Sequence, residues 1–292
     1  VKMHADYTNN LQVQLGLLND VVADFTWDLN GYTYTYSGNA DAVTLNSGAK
    51  LILTDSSERH TGVLVTKGDR GTANSAIATT GSGGNTYAIS GNGSVGKGNT
   101  EIIIKDTAVI TADSMVEAPA IYHPQSGTLT VEGGTITGYG GIQMCSGNLI
   151  ISGNPTITAK GNNTSAEKGG DGGIPDGAAI SVVDRNYPGG TPTVTITGKP
   201  TVSATDNVDA VQAYTWNATD QTQDIWSEAS SNVSISGGTF SSDVTSYIPT
   251  GSALTQDSNG TVVLDSNQTV VASINGVPYA SLQAALNAAA GM

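Results

Sequence analysis

Residues 126–159 carry one phrase twice. SGTLTVEGGTITG at 126–138 is followed by SGNLIISGNPTITA at 146–159. In both copies aliphatic residues alternate with Ser, Thr, Asn or Glu, and glycine breaks the run. Alternation with period two marks a strand with one buried face. Leu129 and Leu149 stand 20 residues apart, a spacing typical of stacked repeats. One copy has too little apolar surface to form a core alone, whereas a pile of copies buries a continuous one. The pattern therefore predicts two successive coils of an all-β, right-handed parallel β-helix.

The same register extends outward from this pair. Ile102, Ile104 and Ile110 occupy the positions of Leu149, Ile151 and Ile157. Further on, Ile121, Ile142, Ile180 and Val211 each open a coil, and Leu129, Leu149, Val194 and Val233 lead the main strands. Each coil closes on Ile136, Ile157, Val202 or Phe240. The period stretches to 45 residues between Leu149 and Val194 and to 39 between Val194 and Val233. The excess is expected to leave the stack as loops, at 160–177 with 186–192, and over most of 213–230. Toward the N-terminus, Phe25, Trp27 and Leu29 alternate with polar residues, Asn30-Gly31 reads as a turn, and Tyr32, Tyr34 and Tyr36 share a face. Packing of these tyrosines between coils is favoured over sugar binding. Residues 67–99 are rich in Gly, Ser and Asn, and irregular coils are expected there. Residues 1–250 are thus assigned to the β-helix. Residues 251–292 form a C-terminal unit of strands and one amphipathic helix at 279–290, with Ser281 as its cap and Leu282, Ala285, Leu286 and Ala289 as its apolar stripe.

Composition narrows the partners. The formal net charge is −14, from 11 basic and 25 acidic residues. Nucleic acid and anionic membranes call for clustered Lys and Arg, so neither is an expected partner. No apolar run is long enough for a membrane span, and the one cysteine, Cys145, has no partner for an internal disulfide. The chain starts at Val1 without a charged-then-apolar leader, as expected of a mature chain or a piece of a longer one.

Four phrases carry a resemblance: LLNDVVADFTWDLNGYTYT (17–35), KLILTDSS (50–57), VSISGGTFSSDVTSYI (233–248) and INGVPYASLQAALNAAA (274–290). Together with the coils between them, they are similar to the cell-surface parallel β-helix (pectate-lyase-like) repeat domains of extracellular proteins from Gram-positive gut bacteria. The resemblance implies an extracellular, cell-surface location and a structural or adhesive role. In that family the YASLQAALNAAA helix normally precedes a strand like VKMHADY, and here the order is reversed. Reading Met292 into Val1 restores the family junction, as though one unit had been cut from a head-to-tail series. Ten or more coils, each rising about 4.8 Å, separate the two ends by about 50 Å. The terminal helix is therefore expected to cap the first coil of another copy rather than its own. Tyr279, Leu282, Ala285, Leu286 and Ala289 would meet Val1 and Met3 there. Such a heterologous contact propagates into a filament.

Parallel β-helices also include enzymes that act on polysaccharides, so catalytic sets were sought. The three arginines, Arg59, Arg70 and Arg185, and the three histidines, His4, His60 and His123, are scattered. His123 reads as a corner residue. Asp184, Asp206 and Asp209 are the best carboxylates for a glycosidase pair, yet acidic turn residues cap backbone N–H groups equally well. No enzymatic activity is expected. In the Gly-rich loop EKGGDGGIPDG, Glu167, Asp171 and Asp176 are weak candidates for Ca²⁺, with a solvated loop favoured. Tyr214, Trp216 and Trp226 are the best glycan-stacking candidates; folding back onto the coil or packing on a neighbour is favoured over that role. Cys145 is expected to be a buried structural thiol. The leading expectation is a non-enzymatic surface fibre or stalk, with a glycan-binding adhesin as the alternative and a polysaccharide lyase or hydrolase third.

Overall fold

The computed structural model describes residues 1–16, 23–38, 40–46, 48–67, 87–112, 118–162, 172–205, 207–217, 219–220 and 222–290. Three sheets run the length of a parallel β-helix, and the chain visits them in the order A, B, C in each coil. Sheet A holds Asp24–Asp28, Lys50–Thr54, Thr100–Ile104, Gly127–Val131, Asn148–Ile151, Thr193–Ile196 and Val233–Ile235. Sheet B holds Tyr7–Asn9, Thr33–Tyr36, Val63–Thr66, Val109–Thr111, Thr135–Gly138, Thr156–Ala159, Thr201–Ser203 and Thr239–Phe240. Sheet C holds Val13–Leu15, Val43–Leu45, Ile89–Gly91, Pro119–His123, Gly140–Met144, Ile180–Asp184 and Val211–Asn217, ending on the antiparallel strand Thr222–Ile225. Sheet B has eight strands, so the stack is shorter than the ten or more coils expected from length alone. The shortfall lies in residues spent on insertions and on the C-terminal unit.

The register is the one the repeats predict. Ile102, Leu129, Leu149, Val194 and Val233 stand in one column of sheet A. Ile110, Ile136, Ile157, Val202 and Phe240 stand in one column of sheet B. Ile121, Ile142, Ile180 and Val211 do the same in sheet C. These columns point inward and are nearly or fully buried, while the residues between them point out. In sheets A and B a slip of one residue would turn the aliphatic columns to solvent, so burial fixes the pairing there.

Corners are held by polar side chains and by glycine. Asp55 is 1 % exposed and accepts hydrogen bonds from the backbone N–H groups of Gly31 (2.8 Å), Ser57 (3.1 Å) and Gly62 (2.7 Å), tying two coils together. Burial works to raise its pKa, but these donors outweigh it and hold the carboxyl below the usual range. The Asn30-Gly31 turn forms as expected, with both residues at positive φ. At Gly127, φ is 114°, and a Cβ there would lie 2.0 Å from the Thr100 carbonyl oxygen. Only glycine permits that approach between coils.

The last coil is closed from within the chain. A hairpin of Leu254–Gln256 and Val262–Leu264 lies across it, with Phe240 N–H donating to Gly260 O and Val262 N–H to Gly238 O, both at 2.9 Å. Val262 and Val244 complete the core. A second hairpin, Ala272–Ile274 with Val277–Tyr279, leads to the terminal helix Leu282–Ala290. The Ser281 hydroxyl caps that helix by accepting from Ala284 N–H at 3.1 Å. The helix begins three residues later than the sequence pattern predicts, because Tyr279 is held in the hairpin strand.

Inward and outward positions should differ sharply in unfolding. Leu149→Ala is expected to cost about 2–5 kcal/mol, because the rigid column leaves a cavity. Thr130→Ala, one residue away from that column on the outer face, should stay within about 0.5 kcal/mol. Urea midpoints measured for both variants check this.

Candidate functional site

At the first coil the interior ends in an open apolar wall. Val1, Met3, Tyr7, Phe25, Trp27 and Tyr34 border a cup of about 380 Å³. Trp27 and Tyr34 meet edge to face with ring centroids 4.8 Å apart, and Tyr7 lies 5.9 Å from Tyr34. This confirms coil-to-coil packing for Tyr34. Tyr7 is 56 % exposed and Val1 72 %. Residues 1–3 cover part of the edge, with Met3 N–H donating to Asp28 O at 2.9 Å and Lys2 Nζ 3.3 Å from the Asp28 carboxylate. Among the described residues no further element lies over this wall.

The opposite end is the terminal helix. The sequence places Leu282, Ala285, Leu286 and Ala289 on one stripe, but the structure splits it. Ala285 is 1 % exposed, while Leu282 and Leu286 are 59 % and 54 % exposed and Ala289 is also exposed. Ala284, Ala285 and Ala288 form the inner face instead, because small side chains let the helix sit close to its own hairpin. A Cβ on Gly251 would stand 3.1 Å from that of Ala284. Tyr279, expected at the interface, is 2 % exposed and belongs to the chain's own interior. Leu282–Ala290 contains no charged residue.

The insertion after sheet C is no loop at its start. Val211–Asn217 continues as a strand, pairing with Ile180–Asp184 on one side and Thr222–Ile225 on the other, and its aromatics pack against the coil instead of standing out on a loop. Tyr214, Trp216 and Trp226 are 5 %, 7 % and 7 % exposed. Trp226 joins the main core, whereas Tyr214 and Trp216 join a second cluster on the outer side of sheet C with Tyr87, Tyr122, Cys145 and Val183. Folding back onto the coil is thus the outcome for all three. Arg185 lies over this cluster, 5.3 Å from the Tyr187 ring centroid and 5.8 Å from that of Trp216, and its Nη1 donates to Gly172 O at 2.6 Å. Sequence reading missed the cluster. Its signal was present in APAIYH and AAISVV, which are apolar at both parities, as expected of strands covered on both faces.

The candidate chemical groups are locked into structural work. Asp176 is 3 % exposed and accepts from the Tyr214 hydroxyl (2.7 Å), the Ser181 hydroxyl (2.9 Å) and Ala178 N–H (3.1 Å). Burial raises its pKa despite these donors. Its carboxylate is turned onto the covered outer side of sheet C rather than into an open cation loop, and Glu167 and Asp171 lie outside the described residues. Asp184 accepts from Asn186 N–H at 3.0 Å in a turn, Asp209 is exposed, and Asp206 lies outside the described residues. Burial pushes the Cys145 thiol up to about 12, far from a nucleophile's range. His123 is fully buried, with Nδ1 3.0 Å from Ser146 O. Among the described residues, no three His, Cys, Asp or Glu side chains converge as metal ligands.

No family model matches the chain, and neither curated proteins nor solved structures give a match. The geometry of the ends and faces therefore carries the functional argument.

His123 gives a pH test of the interior. Burial lowers its pKa from 6.5 to about 4. The unfolded chain takes up its proton first as the pH falls, so stability is full above about 6.5, declines toward about 4 and is flat below that for this group. The loss amounts to about 3 kcal/mol. His123→Gln should flatten the pH 6.5–4 slope of the urea midpoint; an unchanged slope would contradict the assignment.

Proposed function

We propose that the chain is a non-enzymatic structural unit of an extracellular cell-surface fibre or stalk, with units joined end to end. The observation that carries this reading is the mismatch between the ends. One end is an apolar hollow rimmed by the exposed Val1 and Tyr7 and the half-buried Phe25, with Trp27 and Tyr34 buried at its base, and the other is an uncharged helix presenting Leu282 and Leu286. Exposed apolar surface of this kind marks an interaction site. Because the two surfaces differ, their contact is heterologous and leaves a free copy of each, so it repeats without closing. The same joint serves separate chains or successive units of one longer chain.

Magnitudes set its strength. Burying the exposed half of these two leucines contributes about 2–3 kcal/mol, less than the loss of free motion on association. The joint is weak between free molecules and strong where units are tethered or crowded on a surface, since effective concentration then does the work. A role without catalysis is supported by the state of the reactive groups. Cys145 is a buried thiol held protonated, Asp176 is fully engaged with its neighbours, and His123 is sealed in the core. A glycan-binding adhesin would use Tyr214, Trp216 and Trp226, but the chain's own packing occupies those rings.

Sedimentation velocity over rising protein concentration tests the joint. The natural chain should form progressively longer species, and Leu282→Asp with Leu286→Asp should remain monomeric without loss of folding, both positions being exposed. Polymers that survive the double substitution would overturn the helix as the joint. A natural chain that stays monomeric up to millimolar concentration would overturn the fibre.

A further inference from the structure

From the outer face of sheet B, we infer that the protein binds ice. The register builds two straight ranks of short hydroxyl side chains there. One runs Thr135, Thr156, Thr201 and Thr239; beside it run Thr111, Thr137, Thr158 and Ser203. Toward the first coil, Val63, Val65 and Val109 continue the ranks with threonine's shape, and Thr33 and Thr35 restore the hydroxyls. Neighbours along a rank are spaced by the distance between strands, about 4.8 Å, and the ranks by two residues of strand, about 6.7 Å. Water oxygens on a prism face of ice repeat at closely similar distances in two perpendicular directions.

Two properties separate this face from an ordinary strand surface, and a third, shared with sheet A, lets them act. The first is charge. Strand propensity favours threonine on any outer face, yet Asp24, Lys50 and Glu101 occupy a single rank of sheet A, while the two ranks of sheet B carry no charged residue in a chain of net charge −14. Charged groups hold hydration shells that do not fit an ice lattice. The second is hydroxyl availability. Thr158 Oγ1 lies 3.3 Å from Ser203 Oγ and Thr239 Oγ1 3.0 Å from Thr261 Oγ1. The hydroxyls of Thr111, Thr135, Thr137, Thr156 and Thr201 bond to no protein group among the described residues and are left to water. The third is rigidity. Ile110, Ile136, Ile157 and Val202 form a fully buried column directly behind, so the ranks are fixed before any ligand arrives.

Each threonine presents a methyl group, which orders the adjacent water into a cage, and a hydroxyl, which anchors that cage. Repetition over several coils turns ordered first-shell water into a patch that merges with the ice surface. Sheet C cannot act this way, because its outer side is covered by the aromatic cluster around Tyr122 and Trp216. The inference stands apart from the fibre reading, since one unit already carries the ranks.

Thermal hysteresis and the shape of a single ice crystal are measured in a nanolitre osmometer with the purified chain. The natural protein should open a gap between melting and freezing points and facet the crystal. Thr137→Lys with Thr158→Lys should abolish both, while Thr130→Lys on sheet A should leave both intact. Circular dichroism verifies the fold, and Thr156→Asn with Thr201→Asn provides a second, milder disruption of the same face. A natural protein that behaves like serum albumin at equal concentration overturns the inference. So does a folded double variant of sheet B as active as the natural chain.

Discussion

Everything in this molecule depends on the stacking of like side chains in register, coil upon coil. Ile136 is buried because Ile110 lies on one side of it and Ile157 on the other; neither its own strand nor its own coil would suffice. A fold stabilised only by neighbour contacts is continuous in its middle and deficient at its ends. The last coil meets that deficiency within the chain, through the hairpin at 254–264, the buried Val244 and Val262, and the closing hydrogen bonds from Phe240 and Val262. At the first coil no such cover is present among the described residues, and the buried Trp27 and Tyr34 of the next coil lie beneath a hollow rimmed by the exposed Val1 and Tyr7.

The same regularity divides the outside into faces of different character. Sheet A carries mixed charges, including the Lys50–Glu101 pair at 2.8 Å. Sheet C is paved with aromatics and a lodged arginine. Sheet B is left plain, hydroxylated and uncharged. Strand pairing makes each of these a column rather than a scatter, so one residue type recurring at one position in successive coils becomes a surface property. Surface function in such a stack resides in ranks and ends more readily than in a convergent pocket.

Much of this was legible in the sequence, for a physical reason. Period-two alternation and a near-constant coil length leave little freedom in the register, so the columns of Leu129, Ile136 and Ile142 could be read before any coordinates. What could not be read was the fate of the insertions, where the period fails. Tyr214 and Trp216 looked like loop residues because they interrupt the repeat, yet parallel pairing of 211–215 with 180–184 carries them onto sheet C. The split of the helical stripe was equally hidden. A wheel shows which residues share a face, but the alanines won the inner position because the hairpin and Gly251 admit only small side chains. Asp176 illustrates the same limit, since its three donors come from elements whose packing the sequence does not specify.

The central claim is that the open wall of the first coil and the leucine face of the terminal helix are two halves of one contact. Amide hydrogen exchange measured at low and at high protein concentration addresses it most directly, because it reads both halves at once. The account predicts that rising concentration slows exchange together in strands 24–28 and 33–36 and in the helix 282–290, with the middle coils unchanged. Exchange at both ends that is independent of concentration, or protection that appears on the side faces alone, would contradict it.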